Sequence, residues 1–139
     1  MKNTMTSFAL AYLAILIAFG LLDGIWLGVI AMPLYVDYFS GLLRAQFVSW
    51  PWIVFYVLYC LAVVVLAVRP ARGRPVGAAA ANGFMLGATA YGTYNLTAYS
   101  IIAGWPLTMT LVDWVWGAFA TMVLAGVGAQ VVRWRERRG

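Results

Sequence analysis

Two aspartates and one asparagine stand where apolar sequence makes charged and amide groups costly. Asp23 interrupts an apolar run over residues 8–32, Asp113 interrupts another over 107–132, and Asn95 lies in an uncharged run over 77–103. A charged side chain inside a bilayer costs about 2.5–3.5 kcal/mol on insertion scales, so such residues are functional candidates by default. Side chains able to wall a polar site recur around them at helical spacing. Trp26 follows Asp23 by three positions and Trp116 follows Asp113 by three, while Tyr91 and Tyr99 flank Asn95 one turn away, with Tyr94 and Thr97 nearby. The candidate binding set is therefore Asp23, Trp26, Tyr91, Tyr94, Asn95, Thr97, Asp113 and Trp116.

Several kinds of chemistry suit this set. Buried carboxylates can share a proton or bond Tyr and Asn groups, doing no more than fixing helix register. They can instead hold the polar head of a lipid or small amphiphile. A third use is a cation or proton path, although no polar residue continues the route through the inner half of these runs. Two Asp and one Asn offer fewer oxygens than a hard cation usually takes, and with no histidine and a single cysteine no zinc spacing exists. No metal site is expected. The chain also lacks a nucleophile motif, a phosphate-cradling loop and a redox motif, so no cofactor is expected and an enzyme is the less favoured class. Cys60, within Tyr59-Cys60-Leu61, reads as a buried inert thiol.

The elements that must position these residues follow from composition. Of 139 residues, 65 % are hydrophobic and 9 % charged, whereas a soluble domain needs about 25 % charged residues to cover its surface. The sequence predicts a single all-α integral membrane domain over 1–139. It has four transmembrane helices near 8–32, 50–68, 77–103 and 107–132, since only helices or closed barrels satisfy backbone groups in lipid. Between the first two, residues 33–46 carry Tyr35, Tyr38, Phe39, Leu42 and Leu43 at helical spacing, which predicts a short amphipathic helix in the interface.

Orientation follows from the basic residues. Lys2, Arg69, Arg72, Arg74, Arg133, Arg135, Arg137 and Arg138 fall on one side of four crossings and only Arg44 on the other. This bias places both termini in the cytoplasm. The net charge of +5 flanks apolar runs rather than forming a face, so the expected partner is membrane lipid and not nucleic acid. Depths then follow from the 1.5 Å rise: about 10 Å below the outer surface for Asp23, about 9 Å for Asp113 and about 12 Å for Asn95. One level in the outer half is expected, with a cleft opening toward the outer leaflet.

Small residues every fourth position supply the packing faces. Gly20, Gly24 and Gly28 form one on the first span, Ala79, Gly83 and Gly87 on the third, and Gly117, Thr121, Ala125 and Ala129 on the fourth. The second span lacks such a face and is expected to be the most lipid-exposed. The repeated Asp-x-x-Trp at Asp23 and Asp113 is expected where two antiparallel helices face each other at one depth.

Taken together, five segments resemble the bacterial predicted membrane proteins of domain-of-unknown-function family 2177. They are Leu22-Asp23-Gly24-Ile25-Trp26-Leu27-Gly28; Phe55-Tyr56-Val57-Leu58-Tyr59 with Arg69-Pro70-Ala71; Ala90-Tyr91-Gly92-Thr93-Tyr94-Asn95-Leu96-Thr97; Gly104-Trp105-Pro106-Leu107; and Val112-Asp113-Trp114-Val115-Trp116-Gly117. The resemblance implies a four-span protein of the bacterial inner membrane with no established activity. It departs at Asn95, where the family pattern usually carries aspartate. Three functions remain open: a binding or accessory protein for a lipid or small amphiphile, a lipid-modifying enzyme with an Asp as general acid/base, and a transporter, which a chain this short could form only as a homo-oligomer.

Overall fold

The computed structural model describes the backbone of residues 2–139 and the side chains from Thr4 onward; the Lys2 side chain, counted above, lies outside the described residues. Regular structure among the described residues is all helical. Helix α1 (Lys2–Ile25) continues through a π-helical segment (Trp26–Ala31) into α2 (Met32–Phe39). Helix α3 (Ser49–Ala62) likewise continues through a π segment (Val63–Val68) into a 3₁₀ turn (Arg69–Ala71), and α4 (Val76–Ile101) and α5 (Leu107–Arg138) complete the chain.

The two π segments share a local cause. Each ends one residue before an X-Pro pair, Met32-Pro33 or Arg69-Pro70. A proline inside a helix has no N–H to donate, and its ring clashes with the carbonyl four residues back. The widened turn relieves this, and the residue before each proline donates five residues back, Met32 to the Leu27 carbonyl and Arg69 to the Val64 carbonyl. The first helix therefore passes through Pro33 instead of stopping there. The helix expected over 33–46 is shorter and differently placed: it is the last two turns of one rod, ends at Phe39, and is followed by an irregular connection over 40–48.

Three of these rods are long and apolar enough to cross a membrane: Thr4–Phe39 with 36 residues, Ser49–Ala71 with 23 and Leu107–Arg138 with 32. The fourth, α4, has 26 residues, enough for a rise of about 39 Å. Its Gly, Ala, Thr and Tyr content makes it less apolar. It runs antiparallel along α5, so it traverses the thickness that α5 traverses. Arg72 ties one end of the bundle together, donating from Nε to Glu136 Oε1 at 2.6 Å and from Nη2 to Thr4 Oγ1 at 3.2 Å. Both chain ends and the 69–75 turn therefore share that end.

The core joins Ala11, Ile15 and Phe19 of α1 to Tyr59, Cys60, Val63 and Ala67 of the second rod and Leu124 and Ala125 of α5. Cys60 is fully buried within it. Polar clips cross the apolar contacts: Tyr59 and Thr121 hydroxyls meet at 2.5 Å, Tyr56 donates to the Leu16 carbonyl, and Asn82 Nδ2 donates to the Ala67 carbonyl at 3.1 Å. The first rod, not the second, is the most exposed. Its most apolar stretch is 17 % buried, against 33 % for the second rod and 50 % for α5. The reason is a buried stripe one residue wide (Ser7, Ala11, Ile15, Phe19), which leaves most of the circumference uncovered.

The small-residue faces divide accordingly. On α4, a Cβ at Gly83 would meet the Thr121 carbonyl and the Ala125 side chain, and one at Gly87 would meet the Gly117 carbonyl and Thr121. On α5, a Cβ at Gly117 would enter the Tyr91 ring. Here the missing side chains let two backbones close up. On α1, a Cβ at Gly20 would lie 3.2 Å from the Tyr56 hydroxyl, whereas Gly24 and Gly28 have no described atom within 4 Å. These two are not packing residues in this bundle. Gly24 lies about 140° around the helix from Phe19, the last residue of the buried stripe.

Candidate functional site

Asn95 and Asp113 meet because they are equally far from the turn that joins their helices. Asn95 lies six residues before the end of α4 and Asp113 six after the start of α5, about 9 Å down each helix. Gly104, at φ 78°, provides the left-handed residue that the connecting turn uses. The two amide hydrogens of Asn95 are both used: Nδ2 donates to Asp113 Oδ2 at 2.7 Å and to the Tyr91 carbonyl one turn back at 3.0 Å. Asn95 is 2 % exposed and Asp113 7 %. An asparagine here gives the Asp113 carboxylate a permanent donor, where an aspartate would have to carry a proton to do the same.

Asp23 joins this pair from a different level. Trp26 stacks on Trp116 with ring centroids 4.5 Å apart and planes 4° apart. Helices α1 and α5 are antiparallel, so level tryptophans put Asp23 three residues toward the end that holds both chain termini and Asp113 three toward the opposite end. The carboxylates are then offset by about 9 Å along the axis. The expected single depth is corrected in this way, and the extension of the first rod to Phe39 sets Asp23 about 24 Å from that rod's end. Each carboxylate lies diagonal to the opposite tryptophan. The Trp116 N–H is directed at Asp23 without closing a full hydrogen bond. Asp23 and Asp113 still interact through space, and the hydroxyls of Tyr35 and Tyr91 lie in the field of both.

An aromatic layer covers the side away from the chain termini. Tyr35 stacks on Phe39 at 5.4 Å, Phe39 meets Trp105 edge-on at 4.9 Å, and Trp105 meets Tyr94 at 5.8 Å. Tyr94 is 52 % exposed and so forms the rim, with its hydroxyl coupled to Asp113. Thr97 belongs to the opposite, exposed face of α4 and does not take part. Two residues beyond Asn95 is about 200° around the helix, so the two side chains cannot share a face. Tyr35, Phe39 and Trp105 are additions that the sequence reading did not place here. Their signal was the aromatic pair at i, i+4 after Pro33, legible only once the helix is continued through that proline.

The polar centre is a knot in which Asn95 and Asp113 are buried and Asp23 is half-buried, and separate grooves lie at the arginine-rich end. What the knot does present is unmatched donors. Trp114 Nε1 donates to the Ala88 carbonyl at 2.8 Å, a bond reached across Gly92. The indole nitrogens of Trp26, Trp105 and Trp116 are buried and have no full hydrogen-bond partner among the described residues. Native buried donors are overwhelmingly paired, so the stacked Trp26–Trp116 pair sets a chemical requirement for acceptors, and Trp105, beside Phe39 and Tyr94, sets a separate one.

Compared with known families, residues 8–130 match the one described as Predicted membrane protein (DUF2177). Neither a curated protein nor a solved structure matches the chain.

Proposed function

Because the chain belongs to the DUF2177 family of predicted membrane proteins, we propose that it acts in the bilayer as a binding or accessory protein for a lipid or small amphiphile. The polar head would meet the Asp23–Asn95–Asp113 cluster in the outer half of the bundle. The observation that carries this reading is the stacked pair of unmatched indole donors, Trp26 and Trp116, beside the Asp23 carboxylate. A ligand satisfying both must offer acceptor oxygens to Trp26 and Trp116 and hydroxyl or ammonium donors to the aspartates. The half-exposed rim at Tyr94 and Asp23 gives such a head group a lateral approach from lipid.

The experiment is native mass spectrometry of the protein extracted in mild detergent. A co-purifying amphiphile of defined mass is expected on the intact chain. It should be lost from Trp116→Phe, which keeps the stacking ring and deletes the donor. An unchanged ligand on that variant would sink the reading.

The proposed location is the bacterial inner membrane with both termini cytoplasmic, supported by the segregation of arginines to the end that holds both termini. In intact cells, a cysteine introduced at Arg72 should resist external labelling while one at Gly41 is modified. Labelling in the reverse pattern would invert the orientation.

A further inference from the structure

The arginine-rich end of the molecule carries a surface cavity far from the polar knot. It is a groove of about 580 Å³ between the 69–75 turn and the last turns of α5, lined by Arg72, Gly73, Arg135, Glu136 and Gly139. A narrower crevice continues from it, sharing Arg72, Gly73 and Glu136. The crevice, of about 10 Å³, is lined by the buried Val68, Ala71, Ala129 and Val132 and by Arg74 and Arg133.

We infer that this groove binds the phosphate head group of an anionic phospholipid. The four guanidiniums of Arg72, Arg74, Arg133 and Arg135 outnumber the carboxylates that line the groove and its crevice, so the walls are net positive. The wall is also pre-formed. Arg72 is held by Glu136 and Thr4, and its guanidinium lies 6.0 Å from the Phe8 ring. Those two bonds engage two of the five N–H donors that a guanidinium carries. Gly73, at φ 78°, turns the backbone sharply and adds no side chain to the mouth.

A bilayer lipid suits the groove better than a free anion because of what surrounds it. The crevice is lined by the last apolar turns of two spanning rods. Beside it Trp134 is 47 % exposed with the Arg138 guanidinium 4.4 Å over its ring, the pairing expected at head-group level. Basic pockets between spans on the positively charged side are suited to anionic head groups, whose attraction adds up arginine by arginine. The inference rests on the membrane location alone and is independent of the amphiphile proposed for the outer cluster.

The test uses the full chain in a nonionic detergent, titrated with phosphatidylglycerol or phosphatidylcholine and read by native mass spectrometry. One phosphatidylglycerol per chain should be retained preferentially. The double variant Arg74→Gln/Arg135→Gln leaves the Arg72–Glu136 bridge in place and should bind it roughly 30-fold more weakly, with its melting temperature in detergent preserved. Asp113→Ala should retain phosphatidylglycerol at the wild-type level, so a failure at the outer cluster is read separately. Equal retention of the two lipids, undiminished binding by the double variant, or displacement of the lipid by millimolar inorganic phosphate would each overturn the inference.

Discussion

The α4–α5 seam and the glycine face of α1 carry the same sequence pattern and meet opposite fates. Gly83, Gly87 and Gly117 sit where a single added carbon would strike backbone or the Tyr91 ring, while Gly24 and Gly28 touch no described atom. The difference is reciprocity. The α4 glycines face the Gly117–Thr121–Ala125 ridge of α5, so each helix supplies the gap that the other fills. The α1 glycines have no ridge opposite, because α1 presents its Ala11–Ile15–Phe19 stripe to the core instead. Small residues permit close approach. A partner of matching shape decides whether it happens.

The largest expected effect breaks or upholds this comparison directly. Gly117→Leu should destabilise the bundle by at least the roughly 1–3 kcal/mol typical of an overpacked core, since its side chain would have to displace Tyr91. Gly24→Leu should stay within about 0.5 kcal/mol of wild type, as surface substitutions usually do. Thermal unfolding in detergent measures both, and equal losses would erase the distinction between the two faces.

A second, intermediate effect sharpens the account of the seam's polar end. Asp113→Ala leaves the Asn95 amide short of an acceptor in a buried place and should cost about 1–3 kcal/mol. Asp113→Asn keeps an acceptor oxygen and should cost clearly less. If the two substitutions are equivalent, the Asn95–Asp113 bond contributes nothing that shape alone does not.

The smallest effect concerns the far side of the same helix. Thr97→Ala should be silent within about 0.5 kcal/mol and should leave any co-purifying amphiphile bound. Loss of that ligand from this variant would return Thr97 to the site and show that α4 is rotated from the orientation described.

Local sequence determined a good deal of this molecule. Apolar run length and the scarcity of charge specify helices that meet lipid, because the backbone has no other way to satisfy itself there. The equal spacing of Asn95 and Asp113 from one short turn brings them level on adjoining helices. The arginine distribution marks one end of the bundle. Tertiary structure alone decided the rest. Which glycine face is used depends on the surface of a remote helix, and whether Pro33 ends a helix or is carried past by a widened turn decides where Tyr35 and Phe39 arrive. The Asp-x-x-Trp repeat illustrates the division. Its spacing announces two facing helices, but antiparallel packing levels the tryptophans and drives the aspartates apart, because a three-residue offset runs in opposite directions on the two helices.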